Sequence, residues 1–242
     1  MVLTISMMYF RDPSIQRGER KVLETKPETG SAHWGTNTQF RARRLAGFVA
    51  IIDGILAGRD AVNLLDIGGT AAYWLDLEPV WRGRPINFTL VNLEPEHVSD
   101  PRFKSIVADC RDLAQFSDNA FDVVHSNSVI EHVGRWRDMR AMAREVRRLA
   151  PRYFVQTPNF WFPLEPHFRV PFFHWLPEPL RIGLVRRRSC GAFPRAENID
   201  DAQRFIEDSI LIDAPRLAAL FPEARIERER FLGLTKSLIA IR

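Results

Sequence analysis

Residues 63–77 read NLLDIGGTAAYWLDL. An apolar run ends on a carboxylate, Asp66; Gly68 and Gly69 follow, and then come Thr70, Ala71 and Ala72, where a nucleotide-binding turn would go on using glycine. A short apolar run closed by glycines reads as a buried strand entering a turn. In an open parallel sheet, ligands lie beyond the carboxyl ends of the strands, so the position of this turn makes it a candidate ligand site. A dinucleotide turn wants G-x-G-x-x-G so that backbone can approach a pyrophosphate at a helix start. Here the register runs Asp66, Gly68, Thr70, Ala72 without the later glycines. A carboxylate at the strand end sits badly beside a pyrophosphate but well beside a cationic ligand.

Working outward, β-rich apolar runs over 62–67, 88–93, 103–108, 121–126 and 153–157 alternate with helical or loop stretches. Such runs suggest strands covered on both faces, and their alternation with helices predicts a doubly wound, mostly parallel α/β sheet. A helix is expected from Thr36 or Thr38 to a stop at Gly58, with Leu45, Phe48, Ile52 and Ile55 on its apolar face. A second carries the stripe Trp136, Met139, Ala143, Val146 and Leu149, its arginines mostly turned away. Asp213 is positioned to cap a short helix through Leu220, and 224–231 and 237–241 read as an antiparallel hairpin about Gly233, bringing the sheet to seven strands. Residues 1–35 lack periodicity and read as an N-terminal arm; with no repeat and no low-complexity linker, 1–242 is expected to be a single domain.

At 242 residues and 45% hydrophobic content the chain can bury a substantial core. Its longest apolar stretch, 45–57, is broken by Asp53, and its start lacks a charged region followed by an apolar one, so neither a membrane span nor a secretory signal is expected. Two cysteines, Cys110 and Cys190, form neither a disulfide framework nor a zinc pattern, which points to free thiols and a cytoplasmic setting. A net charge of +4 permits acidic partners without naming one. The acidic residues show no spacing of a recognisable metal site, and no metal ligand is assigned.

LLDIGGTAA resembles the first motif of the class I S-adenosylmethionine-dependent methyltransferases, D-x-G-x-G-x-G, with Thr70 and Ala72 at the second and third glycine positions. The resemblance extends over about residues 36–160 and implies the Rossmann-like methyltransferase fold, S-adenosylmethionine as cofactor, and Asp66, Gly68 and Gly69 at its turn. In LVNLEPEHV the ribose-binding acid of the family falls on Asn92, and Glu94, on the same side of an extended chain, is positioned to substitute. IVADCRDL puts Asp109 and Cys110 at the adenine contacts, and NAFDVVHSNSVIEHV puts Ser126 and Asn127 in the cofactor pocket, with Glu131 and His132 opening the next segment; this last stretch is similar to small-molecule methyltransferases of type 11.

Methyl transfer is an in-line displacement at an activated methyl, so positioning supplies much of the rate, and a base helps when the acceptor is a hydroxyl. His132 is the first candidate base. The Pro-rich aromatic insertion over 158–198 is expected to cap the active site, with His167, Glu165 and His174 reaching inward; His167 is the second catalytic candidate. The acceptor is expected to be a small molecule or lipid- or glycan-linked, and the basic segment 180–188 suggests peripheral contact with an anionic membrane. HSNS at the fourth strand, in place of an Asn/Asp-Pro-Pro-aromatic or Pro-Cys motif, argues against nucleic-acid bases as substrate. The rivals are a degenerate family member that binds a partner through its aromatic insertion, and a NAD-dependent oxidoreductase, opposed by the missing glycine and by Asn92.

Overall fold

A computed structural model describes residues 35–242, with side chains from Arg44 onward. The expected arm lies, apart from Gly35, outside the described residues. Seven strands form one sheet: β1 (Val62–Ile67), β2 (Ile86–Asn92), β3 (Phe103–Val107), β4 (Val123–Asn127), β5 (Arg152–Pro158), β6 (Arg225–Phe231) and β7 (Leu234–Ile241), in the order β3-β2-β1-β4-β5-β7-β6. The first five are parallel, and β7 is antiparallel to both β5 and β6. The doubly wound sheet and its C-terminal hairpin are as the sequence predicts. Strand order reverses between β1 and β4, the switch point at which open sheets bind ligands.

Helices α1 (Gly35–Leu56), α2 (Ala71–Asp76) and α3 (Glu78–Trp81) cover one face; α4 (Trp136–Leu149) and α7 (Ala214–Leu220) cover the other. Alternation along β1 feeds both layers, Leu64 packing with α1–α3 and Leu65 and Ile67 with α4 and α7. A six-residue helix such as α2 is not stable alone. Trp74, 0% exposed against Phe48 and Phe88, holds it to the sheet, and burying one such side chain is worth roughly 1.5–3 kcal/mol. On α4 the predicted stripe is buried from Met139 to Leu149, but Trp136 sits exposed at its start. Arg148 is no solvated ornament: it bonds Glu145, Asp118 and the carbonyls of Leu113 and Phe116, tying the 113–118 loop to the helix.

The 158–198 insertion contains α5 (Glu178–Arg187) and, with α6 (Ile199–Glu207), builds a third apolar cluster from Phe168, Phe173, Val185, Phe193, Phe205 and Ile206. Ile182, Leu184 and Val185 of the basic segment pack into that cluster while Arg186, Arg187 and Arg188 stay exposed. Most of its apolar side therefore faces the protein. No helix among the described residues is long and apolar enough to cross a membrane.

Candidate active site

The carboxyl ends of β3, β2, β1 and β4 lie side by side, since Val107 pairs with Asn92, Val91 with Ile67 and Ile67 with Ser126. That register gathers Asp109, Asn92, Gly68 and Asn127 along one sheet edge. The turn leaves β1 through Gly68, whose φ of 76° suits glycine, and whose amide donates to the Val91 carbonyl at 2.8 Å. Asn92 Nδ2 donates to the Gly69 carbonyl at 2.8 Å, so the family's ribose position here steadies the turn itself.

Asp66 does not face the mouth. It shares the Leu64 side of β1, is 1% exposed, and accepts from Trp74 Nε1 at 2.7 Å and His125 Nδ1 at 2.8 Å. A buried carboxylate needs such donors, so both oxygens are spent below the turn. Gly69 lies directly on it: a Cβ there would stand 1.6 Å from Asp66 Oδ2. His125, boxed by Phe48, Trp74 and Phe154, escaped the sequence reading because a lone histidine in an apolar strand gives no pattern.

Glu94 is exposed; the carboxylate against the turn belongs to Glu96, whose Oε1 accepts from the Ala71 amide at 3.0 Å. Its Oε2 is buried without a partner. Burial raises the Glu96 carboxyl, the Ala71 bond opposes this, and the charge of Asp66 adds to the rise. Glu96 was missed because it lies in irregular chain beyond β2, where period-two reasoning stops.

At the end of β3, Asp109 forms an ion pair with Arg111 at 2.6 Å. Burial pushes its carboxyl up, but the bonds and charge of Arg111 outweigh this and hold it below the usual range. Burial and then the charge of Asp109 push the Cys110 thiol up to about 12. At pH 8 only roughly one molecule in ten thousand would carry the thiolate, the reactive form. Cys110 should therefore resist iodoacetamide in the native protein and react once urea unfolds it; mass mapping of rapid native alkylation at Cys110 would contradict this burial.

On β4, the Ser126 hydroxyl donates to the Ile67 carbonyl and is fully buried, while Asn127 Oδ1 accepts from Arg44 Nη1 at 2.6 Å. Ser126 is thus a brace between β4 and β1. Beyond β4, a 3-10 turn over Ile130–His132 presents Glu131 and His132. His132 Nδ1 donates to the Asp208 carbonyl at 2.8 Å, and its Nε2 stands 3.1 Å from His167 Nε2. Burial lowers the His132 imidazole, but the bonds and charge of Asp208 and the charge of Glu131 prevail and raise it to about 9. His167 Nδ1 donates in turn to Glu165 Oε1 at 2.7 Å. His174 lies apart, bonded through Nε2 to the Phe160 carbonyl at 2.6 Å. The insertion thus reaches the carboxyl end of β4, with His132 and His167 meeting where it docks.

Residues 65–152 match the family model described as a methyltransferase domain. Among solved structures, the DszA carbon methyltransferase superposes with a TM-score of 0.52 at 17% identity, over 88% of this chain and 55% of that one. The fold is that of the class I methyltransferases. The matched family is one of methyl transfer, and the match covers 65–152 of the 242 residues. The N-terminal domain of EvdMO1, solved with S-adenosylhomocysteine and D-fucose, gives a TM-score of 0.48 at 16% identity over 88% of this chain and 84% of that one. The Burkholderia thailandensis 1,6-didemethyltoxoflavin-N1-methyltransferase, with its substrate and S-adenosylhomocysteine, gives 0.48 at 15% identity over 85% and 79%. Identities this low speak for fold alone. No curated protein matches the chain.

Proposed function

We infer that this methyltransferase-fold protein uses S-adenosylmethionine to methylate a small-molecule or lipid- or glycan-linked acceptor. The observation that carries the reading is the orphaned, buried Glu96 Oε2 beside the glycine turn, an acceptor waiting for hydroxyl donors. A ribose supplies such hydroxyls, and an unpaired buried acceptor costs about 1–3 kcal/mol until one arrives. When bound, the cofactor would supply a methyl group already activated on sulfonium. Gly68 and Gly69 would let its backbone-facing part approach, Asp109 and the Cys110 amide would hold the base, and Asn127 would line the pocket wall. The negative charge of Asp66 beneath the turn and Glu96 beside it suits a cationic ligand better than a pyrophosphate.

The exposed aromatics of the insertion support the acceptor class. Trp161 is 62% exposed and Phe172 50% exposed, and both lie near Trp175, at ring-centroid distances of 6.2 and 5.2 Å. Phe172 is held at φ 60°, a strained backbone for an aromatic residue. Flat aromatic faces of this kind suit the stacking of sugar rings or the covering of acyl chain.

Thermal unfolding with added nucleotides tests the reading. S-adenosylhomocysteine at about a hundred times its dissociation constant adds roughly 2.7 kcal/mol, and a protein of this length gains roughly 2–4 °C per kcal/mol. A rise of about 5–10 °C is therefore expected with S-adenosylhomocysteine, smaller in Glu96→Gln and absent with NAD. A rise with NAD alone would overturn the reading in favour of hydride chemistry; no rise with either would favour a binding protein.

A further inference from the structure

We propose that Glu131, His132 and His167 form a binding site for one divalent transition-metal ion, zinc by the chemistry of its donors. The three potential ligand atoms lie within 4.8 Å of one another. They come from two places in the chain, the turn after β4 and the insertion after β5, so the spacing of the sequence hides them. The site stands independently of the cofactor reading.

Three observations converge on it. The first is the aim of the imidazoles. Each ring spends its Nδ1 proton elsewhere, His132 on the Asp208 carbonyl and His167 on Glu165 Oε1, so both turn Nε2 toward one point, 3.1 Å apart. In the metal-free protein a proton on His132 bridges the two nitrogens, and a metal ion would take that proton's place between them. Zinc–nitrogen bonds of about 2.0–2.1 Å place two ligand nitrogens about 2.9 Å apart at a right angle and about 3.3 Å apart at the tetrahedral angle. The observed separation falls between.

The second is Glu131. The residue is 0% exposed, Thr157 Oγ1 donates to Oε2 at 3.0 Å, and Oε1 is buried with no partner. A carboxyl oxygen left unpaired in the interior is costly, and a metal ion is one of the few partners that would satisfy it.

The third is the surrounding charge. Glu165 orients His167, and Asp208, with Oδ2 at 3.4 Å, flanks His132, so three carboxylates surround two imidazoles. Among the described residues no arginine or lysine forms an ion pair with Glu131, Glu165 or Asp208, so the three carboxylates face only the two imidazoles, and a dication suits that balance. A histidine ligand whose second nitrogen donates to a carbonyl or carboxylate is also the usual outer arrangement of a protein zinc site. Two imidazoles and one carboxylate favour zinc or a neighbouring d-block ion over magnesium, which prefers oxygen. Three protein ligands leave a tetrahedral ion one position for water. The ion would also pin the insertion to the sheet edge, since His167 is its only ligand beyond Thr157.

The test uses tag-free full-length protein, stripped with a chelator and dialysed, then titrated with Zn2+ by calorimetry and with Co2+ by visible absorption. One equivalent is expected to bind, with cobalt d–d bands reporting nitrogen–oxygen ligation, and Zn2+ is expected to raise the unfolding midpoint. Removing an outer partner of a ligand typically costs 10–100-fold in affinity, so Glu165→Gln should fall in that range and Glu131→Gln and His167→Gln should lose more. Glu131→Gln is nearly isosteric and removes a bare charge, so it should fold even if the histidine variant does not, and should lose the Zn2+-induced rise. His97→Gln, at an exposed site, should bind as wild type. Absence of stoichiometric uptake by the folded wild type would overturn the site in favour of two imidazoles sharing a proton, as would uptake undiminished in Glu131→Gln. None of these readouts involves methyl transfer.

Discussion

Gly69→Ala is expected to abolish stabilisation by S-adenosylhomocysteine and to lower the folding free energy by about 2–4 kcal/mol, the sum of overpacking and a disturbed buried charge. A Cβ at 1.6 Å from Asp66 Oδ2 is impossible, so something must move. Asp66 cannot retreat cheaply, because its oxygens are held by Trp74 Nε1 and His125 Nδ1 at 2.7 and 2.8 Å inside an aromatic box. If the carboxylate turns away, it abandons both donors in the interior. If the turn moves instead, the Gly69 carbonyl leaves Asn92 and the Ala71 amide leaves Glu96. Either route spoils the edge where the cofactor is proposed to sit. Urea unfolding gives the stability change, and the thermal shift with S-adenosylhomocysteine gives the binding change. Gly54→Ala is the contrast: it lies inside α1 with nothing within 4 Å of its Cβ position, and should gain up to about 1 kcal/mol by helix propensity. A Gly69→Ala protein as stable and as ligand-responsive as wild type would show that the turn does not rest on Asp66.

Why the strands were legible, and their side-chain partners were not, follows from what each depends on. A strand buried on both faces needs an unbroken apolar centre, which Leu64-Leu65 in VNLLDI and Tyr153-Phe154-Val155 in RYFVQTP display in one dimension. Even β6, half exposed as RIERERF, is marked by the turn at Gly233. The direction of Asp66 was available in principle, since period two puts it with Leu64 on the α1–α2 side, but its donors sit 8 and 59 residues away. Glu94 against Glu96 turned on the path of an irregular loop, which no periodicity governs. His132 and His167 were each singled out by residue type, yet their contact across 35 residues depends on how the insertion folds back. That Ile182, Leu184 and Val185 pack inward was not legible either, because the cluster that receives them joins Phe168 and Phe173 before them to Phe193 and Phe205 after them.

Arg44 is the other residue whose loss should be felt most, and it belongs to no motif in the sequence. From α1 it reaches the carboxyl ends of β4 and β5 and the edge strand β6 together. Nη2 and Nε meet the two Glu229 oxygens at 2.6 and 3.3 Å, and Nη1 donates to Asn127 Oδ1 at 2.6 Å and Gln156 Oε1 at 3.1 Å. Both side chains of the ion pair are nearly sealed, at 10% and 13% exposure. Removing one partner of such a pair typically costs 3–5 kcal/mol, since the other charge stays buried. Arg44→Ala should therefore lose about that much in urea unfolding, and most of the loss should persist at high salt, where surface pairs are screened away. Arg44→Lys should recover only part, because a single ammonium cannot serve three acceptors in the plane of the guanidinium fork. The informative variant is Arg44→Met with Glu229→Leu, which removes both charges together. Stability should largely return, as it often does when a buried pair is replaced by apolar packing, while Asn127 stays without its donor and affinity for S-adenosylhomocysteine stays low. Loss of less than about 1 kcal/mol in Arg44→Ala would place the pair in the surface class; full recovery of affinity in the double variant would mean that Arg44 braces the fold without orienting Asn127.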